Sequence, residues 1–108
     1  MQQLPVTELR ALCAGQPVQL LDVRDAWEVA VASLEISGAK ALHIPMNEVP
    51  ARLAELDAAQ PIVCLCHHGM RSLQVVAFLS QRGYGSVYNL AGGIDAWSLE
   101  VDATVPRY

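Results

Sequence analysis

The sequence has few charged residues, and acidic residues outnumber basic ones. Only 17% of the 108 residues are charged, and the formal net charge is −4 at pH 7. Nucleic acids select a basic surface, so this balance argues against general nucleic-acid binding. An anionic ligand must be attracted by local groups. Because 53% of the residues are hydrophobic, a compact core is expected rather than disorder, and the length predicts a single domain over residues 1–108.

Paired cysteines and long apolar runs are also missing. The three cysteines, Cys13, Cys64 and Cys66, form an odd set without the spacing of a disulfide framework, so we expect a reducing compartment. No apolar run reaches the roughly 18 residues of a membrane span. The first residues have neither the basic start nor the apolar core of a signal peptide. We therefore expect a cytoplasmic protein without a membrane partner.

Strand-like and helix-like segments alternate along the chain. Buried strands are predicted from apolar composition at 18–23, 41–44, 61–65 and 86–90. Helices are predicted at 7–12, 27–30, 47–56, 72–82 and after the Gly92-Gly93 pair. This alternation predicts an α/β fold in which a mostly parallel central sheet is flanked by helices on both faces. Ligand sites in such folds lie beyond the carboxyl ends of the strands.

One short run carries most of the functional information. Cys66-His67-His68-Gly69-Met70-Arg71-Ser72 joins the strand at 61–65 directly to the next predicted helix. A strand that turns into a helix leaves free backbone N–H groups at the helix N-terminus, and these groups attract anions. They would stabilise a cysteine there as a thiolate, together with the helix dipole and the Arg71 guanidinium. We therefore predict that Cys66 is an activated sulfur nucleophile in a small anion-binding loop.

The other members of this loop have predicted roles in binding. Gly69 allows unusual backbone angles and close approach of a substrate. Ser72 can cap the helix or donate a hydrogen bond to sulfur. Arg71 can bind the oxygens of a dianion in a forked geometry. His67 and His68 are expected at the mouth, where either a role in anion orientation or proton transfer, or plain exposure to solvent, is open.

Several motifs along the chain resemble those of rhodanese-like sulfurtransferases. In chain order they are Leu20-Leu21-Asp22-Val23-Arg24 with Trp27-Glu28, Gly38-Ala39 with Ile44-Pro45, the loop pattern Cys-x-x-Gly-x-Arg-Ser at Cys66, Gly83-Tyr84, Val87-Tyr88-Asn89-Leu90, and Gly92-Gly93-Ile94-x-Ala96-Trp97. The resemblance implies that family's three-layer fold, with about five strands. It also implies that Cys66 carries a persulfide, taking sulfane sulfur from a donor such as thiosulfate and passing it to cyanide, a thiol or a protein acceptor.

Residues near the loop have simpler interpretations. Asp22, at a strand end, is expected to accept backbone or Arg24 hydrogen bonds and so to support the loop. Cys64 is expected in the core, with a resolving thiol for Cys66 as the alternative. Cys64, Cys66, His67 and His68 are together too crowded to resemble a zinc site, which typically uses two separated ligand pairs. We expect neither a metal nor a cofactor.

Two other functions compete with sulfur transfer. Phosphatases and arsenate reductases also place a Cys…Arg loop around an oxyanion. Only four residues separate Cys66 from Arg71, and related phosphatase loops are longer, so this loop suits one sulfur atom better than a tetrahedral phosphate. A non-catalytic binding module with the same fold is the third possibility. The intact Cys66 and Arg71 argue against it.

Overall fold

Five parallel strands form the centre of the computed structural model, which describes residues 2–108. The strands are β1 (Gln2–Leu4), β2 (Val18–Asp22), β3 (Ala39–His43), β4 (Ile62–Leu65) and β5 (Val87–Leu90). Their order in the sheet is β1-β5-β4-β2-β3, with every neighbouring pair parallel. The carboxyl ends of the strands therefore meet at one edge of the sheet.

Helices cover both faces of this sheet. They are α1 (Leu9–Gly15), α2 (Ala26–Val31), α3 (Met70–Gln81) and α4 (Gly93–Glu100), with 3-10 helices over Val6–Glu8 and Met46–Glu55. Successive strand residues point to opposite faces, so Leu20 packs in a core with α1 and α4, whereas Leu21 packs in a second core with α3. The predicted α/β fold with three layers is confirmed.

The structure differs from the sequence-based expectation in several elements, of which three bear on the site or its neighbours. Strand β1 was not predicted, because Gln2 and Gln3 are polar; it forms by pairing with β5 in the register Gln2↔Tyr88. The segment predicted as a helix from residue 47 is a 3-10 helix that contains Pro50 and is kinked at Arg52. Pro50 cannot donate the backbone hydrogen bond of a regular helix. Helix α3 begins at Met70, before the predicted position 72.

Burial separates residues that the sequence treats alike. Cys13 and Cys64 lie in the two cores, as expected. Trp97 is 1% exposed and belongs to the core, whereas Trp27 is 61% exposed at the rim. Within residues 2–108, no helix combines the length and the apolar character needed to cross a bilayer.

Candidate active site

The predicted loop lies at the carboxyl edge of the sheet, between β4 and α3. Cys66 directly follows β4 and is only 1% exposed. Gly69 precedes α3 with φ at +99°, a left-handed conformation that favours glycine. A Cβ atom there would lie 3.2 Å from the Gly92 nitrogen, closer than side chains normally pack. The loop therefore needs glycine at position 69 both for its turn and for its contact with the segment before α4.

Backbone N–H groups converge on the Cys66 sulfur. The Gly69 N–H donates to Sγ at 3.0 Å and the Ser72 N–H at 3.4 Å, while the Ser72 hydroxyl oxygen lies 3.3 Å from Sγ. These donors stand at the N-terminus of α3, where the helix dipole also favours negative charge. The arrangement can stabilise an anionic sulfur at Cys66, as the strand-to-helix loop predicts.

A buried amide lies beneath these donors. Asn89, on β5, accepts a hydrogen bond from the Ser72 hydroxyl, and its Nδ2 donates to the Gly69 carbonyl at 3.1 Å and to Gln3 Oε1 at 3.0 Å. Gln3 reaches it from β1, the neighbouring strand. In the sequence, Asn89 is only one member of a motif, and nothing assigns a role to Gln3. A polar residue within an otherwise apolar strand is the one signal that marks Asn89.

Helix α4 holds the first peptides of the loop from the other side. The Ile94 N–H donates to the Cys66 carbonyl at 2.9 Å, and the Asp95 N–H donates to the His67 carbonyl at 3.1 Å. Gly93 has φ at +64°, and a Cβ atom there would lie 2.4 Å from the His67 carbonyl oxygen. The peptide units that contain these two carbonyls also contain the N–H groups of His67 and His68. Because a trans peptide unit is planar, these N–H groups point away from α4.

Arg71 is paired with a buried glutamate. Its Nη1 and Nη2 atoms donate to Glu28 Oε2 and Oε1, each at 2.7 Å. This pairing is the main reason why the pKa of Glu28 falls to about 2. A hydrogen bond from the Asp25 backbone lowers the pKa further, and burial opposes the shift. The forked edge of Arg71 that we expected to meet a substrate dianion is therefore used by Glu28. Sequence reasoning missed this partner because it lies on α2, far away along the chain.

The same carboxylate is joined to the predicted supporting residues through Tyr108. The Tyr108 hydroxyl donates to Glu28 Oε1 at 2.9 Å and accepts from Arg24 Nη1 at 3.0 Å. The pKa of Tyr108 is raised, mainly because the side chain is buried, so the phenol keeps its proton. Arg24 is fully buried and forms a two-pronged pair with Asp22, with Nε to Oδ1 at 2.9 Å and Nη2 to Oδ2 at 2.6 Å. Asp22 thus accepts Arg24 hydrogen bonds, as its place at the strand end indicates.

The two loop histidines have different surroundings. The His67 ring stacks on Tyr108, with ring centroids 3.9 Å apart, and on His68, with centroids 4.0 Å apart. Burial, followed by the neighbouring His68, lowers the pKa of His67, which favours the neutral ring. The His68 side chain is mostly exposed, with Nδ1 3.8 Å from Asp95 Oδ2. His67 thus packs against two rings and is partly exposed, whereas His68 is mostly exposed to solvent.

The structure also shows the surroundings of Cys64 and of the other cysteine and histidine side chains near it. The pKa of Cys64 is raised far above the usual range, mainly because the thiol is buried, so it is protonated near neutral pH. All three cysteines are free thiols. Within residues 2–108, no three or more His, Cys, Asp or Glu side chains come together as a metal-binding group.

Comparisons with known proteins show which family this chain resembles. The sequence model for the rhodanese-like domain matches residues 5–100. A sulfurtransferase of Allochromatium vinosum is 40% identical over 87 residues, covering 81% of this chain and 78% of that protein. The thiosulfate sulfurtransferase GlpE of Pseudomonas aeruginosa is 37% identical over 79 residues, covering 73% of this chain and 68% of GlpE. The structure of the human single-domain sulfurtransferase TSTD1 has a TM-score of 0.76 at 27% identity, covering 93% of this chain and 97% of that one.

Proposed function

Because this chain belongs to the rhodanese-like domain family, we propose that it is a sulfurtransferase in which Cys66 carries sulfane sulfur as a persulfide. The observation that carries the proposal is the convergence of the Gly69 and Ser72 N–H groups on Cys66 Sγ. The names of its relatives support sulfur transfer, and that of GlpE supports thiosulfate as a donor. Cys66 is the proposed catalytic residue, and the loop from His67 to Ser72 surrounds the bound sulfur.

The proposed reaction has two displacement steps. The Cys66 thiolate attacks the outer sulfur of thiosulfate, the sulfur–sulfur bond breaks, and sulfite leaves with the bonding electron pair. Cys66 then holds a persulfide whose outer sulfur is anionic. In the second step a thiophilic acceptor, such as cyanide or a thiolate of a small molecule or protein, attacks that outer sulfur. With cyanide the products are thiocyanate and the regenerated Cys66 thiolate, so no external oxidant or reductant is needed.

The backbone donors suit both states of this cycle. N–H groups fixed by the fold need no reorganisation when negative charge appears on sulfur, and they stabilise charge best where water is excluded. Cys66 meets that condition because it is buried. The guanidinium of Arg71 is neutralised by Glu28, so the contribution of Arg71 to the site is to hold the end of the loop in place. The free cysteines favour a reducing compartment, and we place the reaction in the cytoplasm.

Intact-protein mass spectrometry after incubation with thiosulfate tests this proposal. We expect the mass of one added sulfur atom, removed again by cyanide or by a thiol reductant. Cys66→Ser should abolish the gain. Cys13→Ser and Cys64→Ser are matched controls, because both thiols are buried in the cores, and both variants should keep it. Sulfur uptake by the Cys66→Ser protein would contradict the assignment.

A further inference from the structure

Asn89 contacts both residues whose N–H groups point at the sulfur. It is 2% exposed and makes no contact with Cys66 Sγ among the described hydrogen bonds of residues 2–108. Its Nδ2 donates to the Gly69 carbonyl at 3.1 Å, and its Oδ1 accepts from the Ser72 hydroxyl. Gly69 and Ser72 are the residues that donate to Sγ, at 3.0 Å and 3.4 Å. One buried amide therefore holds both donors of the sulfur.

The direction of each hydrogen bond follows from counting protons. Asn89 Nδ2 has two hydrogens, and its partners are the Gly69 carbonyl oxygen and Gln3 Oε1. A carbonyl can only accept, so the amide orientation is fixed and Oδ1 faces the Ser72 hydroxyl. Two oxygens can share a hydrogen bond only if the hydroxyl donates. The single Ser72 hydroxyl proton is therefore directed at Asn89, and the hydroxyl oxygen presents a lone pair to Sγ.

We propose that Asn89 is a positioning residue for sulfur transfer, which acts by aiming the Gly69 and Ser72 N–H groups at the Cys66 sulfur. The anionic sulfur is then stabilised by two backbone donors, and the Ser72 side chain serves as a tether rather than as a donor. The consequence for turnover rests on the proposed function. The consequence for the reactivity of the Cys66 thiol does not, and the two can be measured separately.

Asn89→Leu tests the inference, because leucine has similar volume and removes both hydrogen bonds. Asn89→Asp is the second variant: it keeps an acceptor for Ser72 but cannot donate to Gly69, and it adds a negative charge near the sulfur. Gln19→Leu is the matched control. Gln19 is also a buried strand amide, 3% exposed, and its side chain bonds the backbone of Asp57, at the opposite edge of the sheet from Cys66.

The primary measurement is the rate at which iodoacetamide alkylates Cys66 at pH 7. Each variant also carries Cys13→Ser. The second measurement is the rate of sulfur transfer from thiosulfate to cyanide by the same proteins. Both Asn89 variants should lower the alkylation rate and kcat/KM by about tenfold, whereas Gln19→Leu should leave both within about twofold of wild type despite a loss of stability. Hydrogen exchange supplies a third readout. The Gly69 and Ser72 amides should be protected in wild type and should exchange faster in the Asn89 variants only.

Several results would overturn the inference. Alkylation within twofold of wild type in a folded Asn89→Leu or Asn89→Asp protein is one, and Asn89→Asp decides if Asn89→Leu does not fold. Exchange of the wild-type Gly69 and Ser72 amides at the rate of exposed amides is another, and it needs no variant. If the wild type transfers no sulfur but the Asn89 variants still slow alkylation, the proposed function fails while the positioning role stands.

Discussion

Two networks hold the Cys66–Arg71 loop, one beneath the sulfur and one at the far end. The first is neutral: Ser72, Asn89 and Gln3 are joined by hydrogen bonds between uncharged groups. The second is ionic: Arg71 and Glu28 form a two-pronged pair, and Tyr108 connects it to Arg24 and so to Asp22. The groups nearest the sulfur carry no formal charge, and the charges farther away are paired.

This difference separates two tasks within one loop. Buried charges require partners, and a network of pairs holds a structure together only while each partner is present. The ionic network therefore serves mainly to fix the end of the loop. In the proposed reaction the Cys66 sulfur alternates between thiolate and persulfide, and it needs donors that no other anion already occupies. Neutral backbone N–H groups meet that need, whereas the Arg71 guanidinium at the end of the loop is already neutralised by Glu28.

The largest expected effect comes from breaking the ionic network with Glu28→Gln. This change leaves Arg71 without its counter-charge, and because the Arg71 side chain is 34% exposed, part of the loss is recovered by water. We expect the free energy of unfolding to fall by about 2 kcal/mol, less than for a fully buried pair. Urea denaturation measures it. Alkylation of Cys66 at pH 7 should change by less than about threefold, since the donors to Sγ are intact.

Glu55→Gln is the control for this prediction, because Glu55 pairs with Arg52 on the surface. Exposed pairs contribute little, so its unfolding curve should match that of wild type. A Glu28→Gln protein as stable as wild type, or one in which Cys66 reactivity falls as far as in Asn89→Leu, would remove the division between the two networks.

Acid should weaken only the ionic network. Pairing with Arg71 lowers the pKa of Glu28 from its ordinary value of 4.5 to about 2. A carboxyl with a depressed pKa stabilises the fold fully above its unfolded value, and this contribution is lost as pH falls toward the folded value. The stability difference between wild type and Glu28→Gln should therefore be largest above pH 5 and should narrow steadily toward pH 2. Urea denaturation across that range measures it, and a constant or widening difference would contradict the assignment.

Ser72→Ala should give the smallest effect and probes the neutral network. It removes the tether from Ser72 to Asn89 but leaves the hydrogen bond from Asn89 to Gly69. We expect a loss of about 1 kcal/mol in the free energy of unfolding and a decrease of about threefold in the alkylation rate. Ser98→Ala is the control, because that buried hydroxyl bonds only the Ile94 carbonyl of its own helix in the part of the chain described. It should affect stability alone; equal alkylation rates in the two variants would show that the tether is unimportant.

Local sequence patterns predicted the parts of the fold that depend on local composition. Strands β2 and β4 are largely apolar and buried on both faces, and the loop after β4 is defined by the order of its own residues. Strand β1 could not be predicted in this way, because Gln3 becomes part of a strand only through pairing with β5. The partners of the loop depend on tertiary contacts in the same manner. Glu28 meets Arg71 across the fold, and no local pattern states which charged residue a loop arginine will find.

The docking of α4 on the loop has a consequence for synthesis of the protein. A ribosome that has produced Ser72 has made every residue of the Cys66–Arg71 loop, but not the Ile94 and Asp95 N–H groups that hold the Cys66 and His67 carbonyls. Asn89 is also still missing at that stage. At that stage the chain lacks the groups that hold the Gly69 and Ser72 residues in place around Cys66. The thiol therefore gains its oriented donors only once β5 and α4 have been made and can pack against the loop.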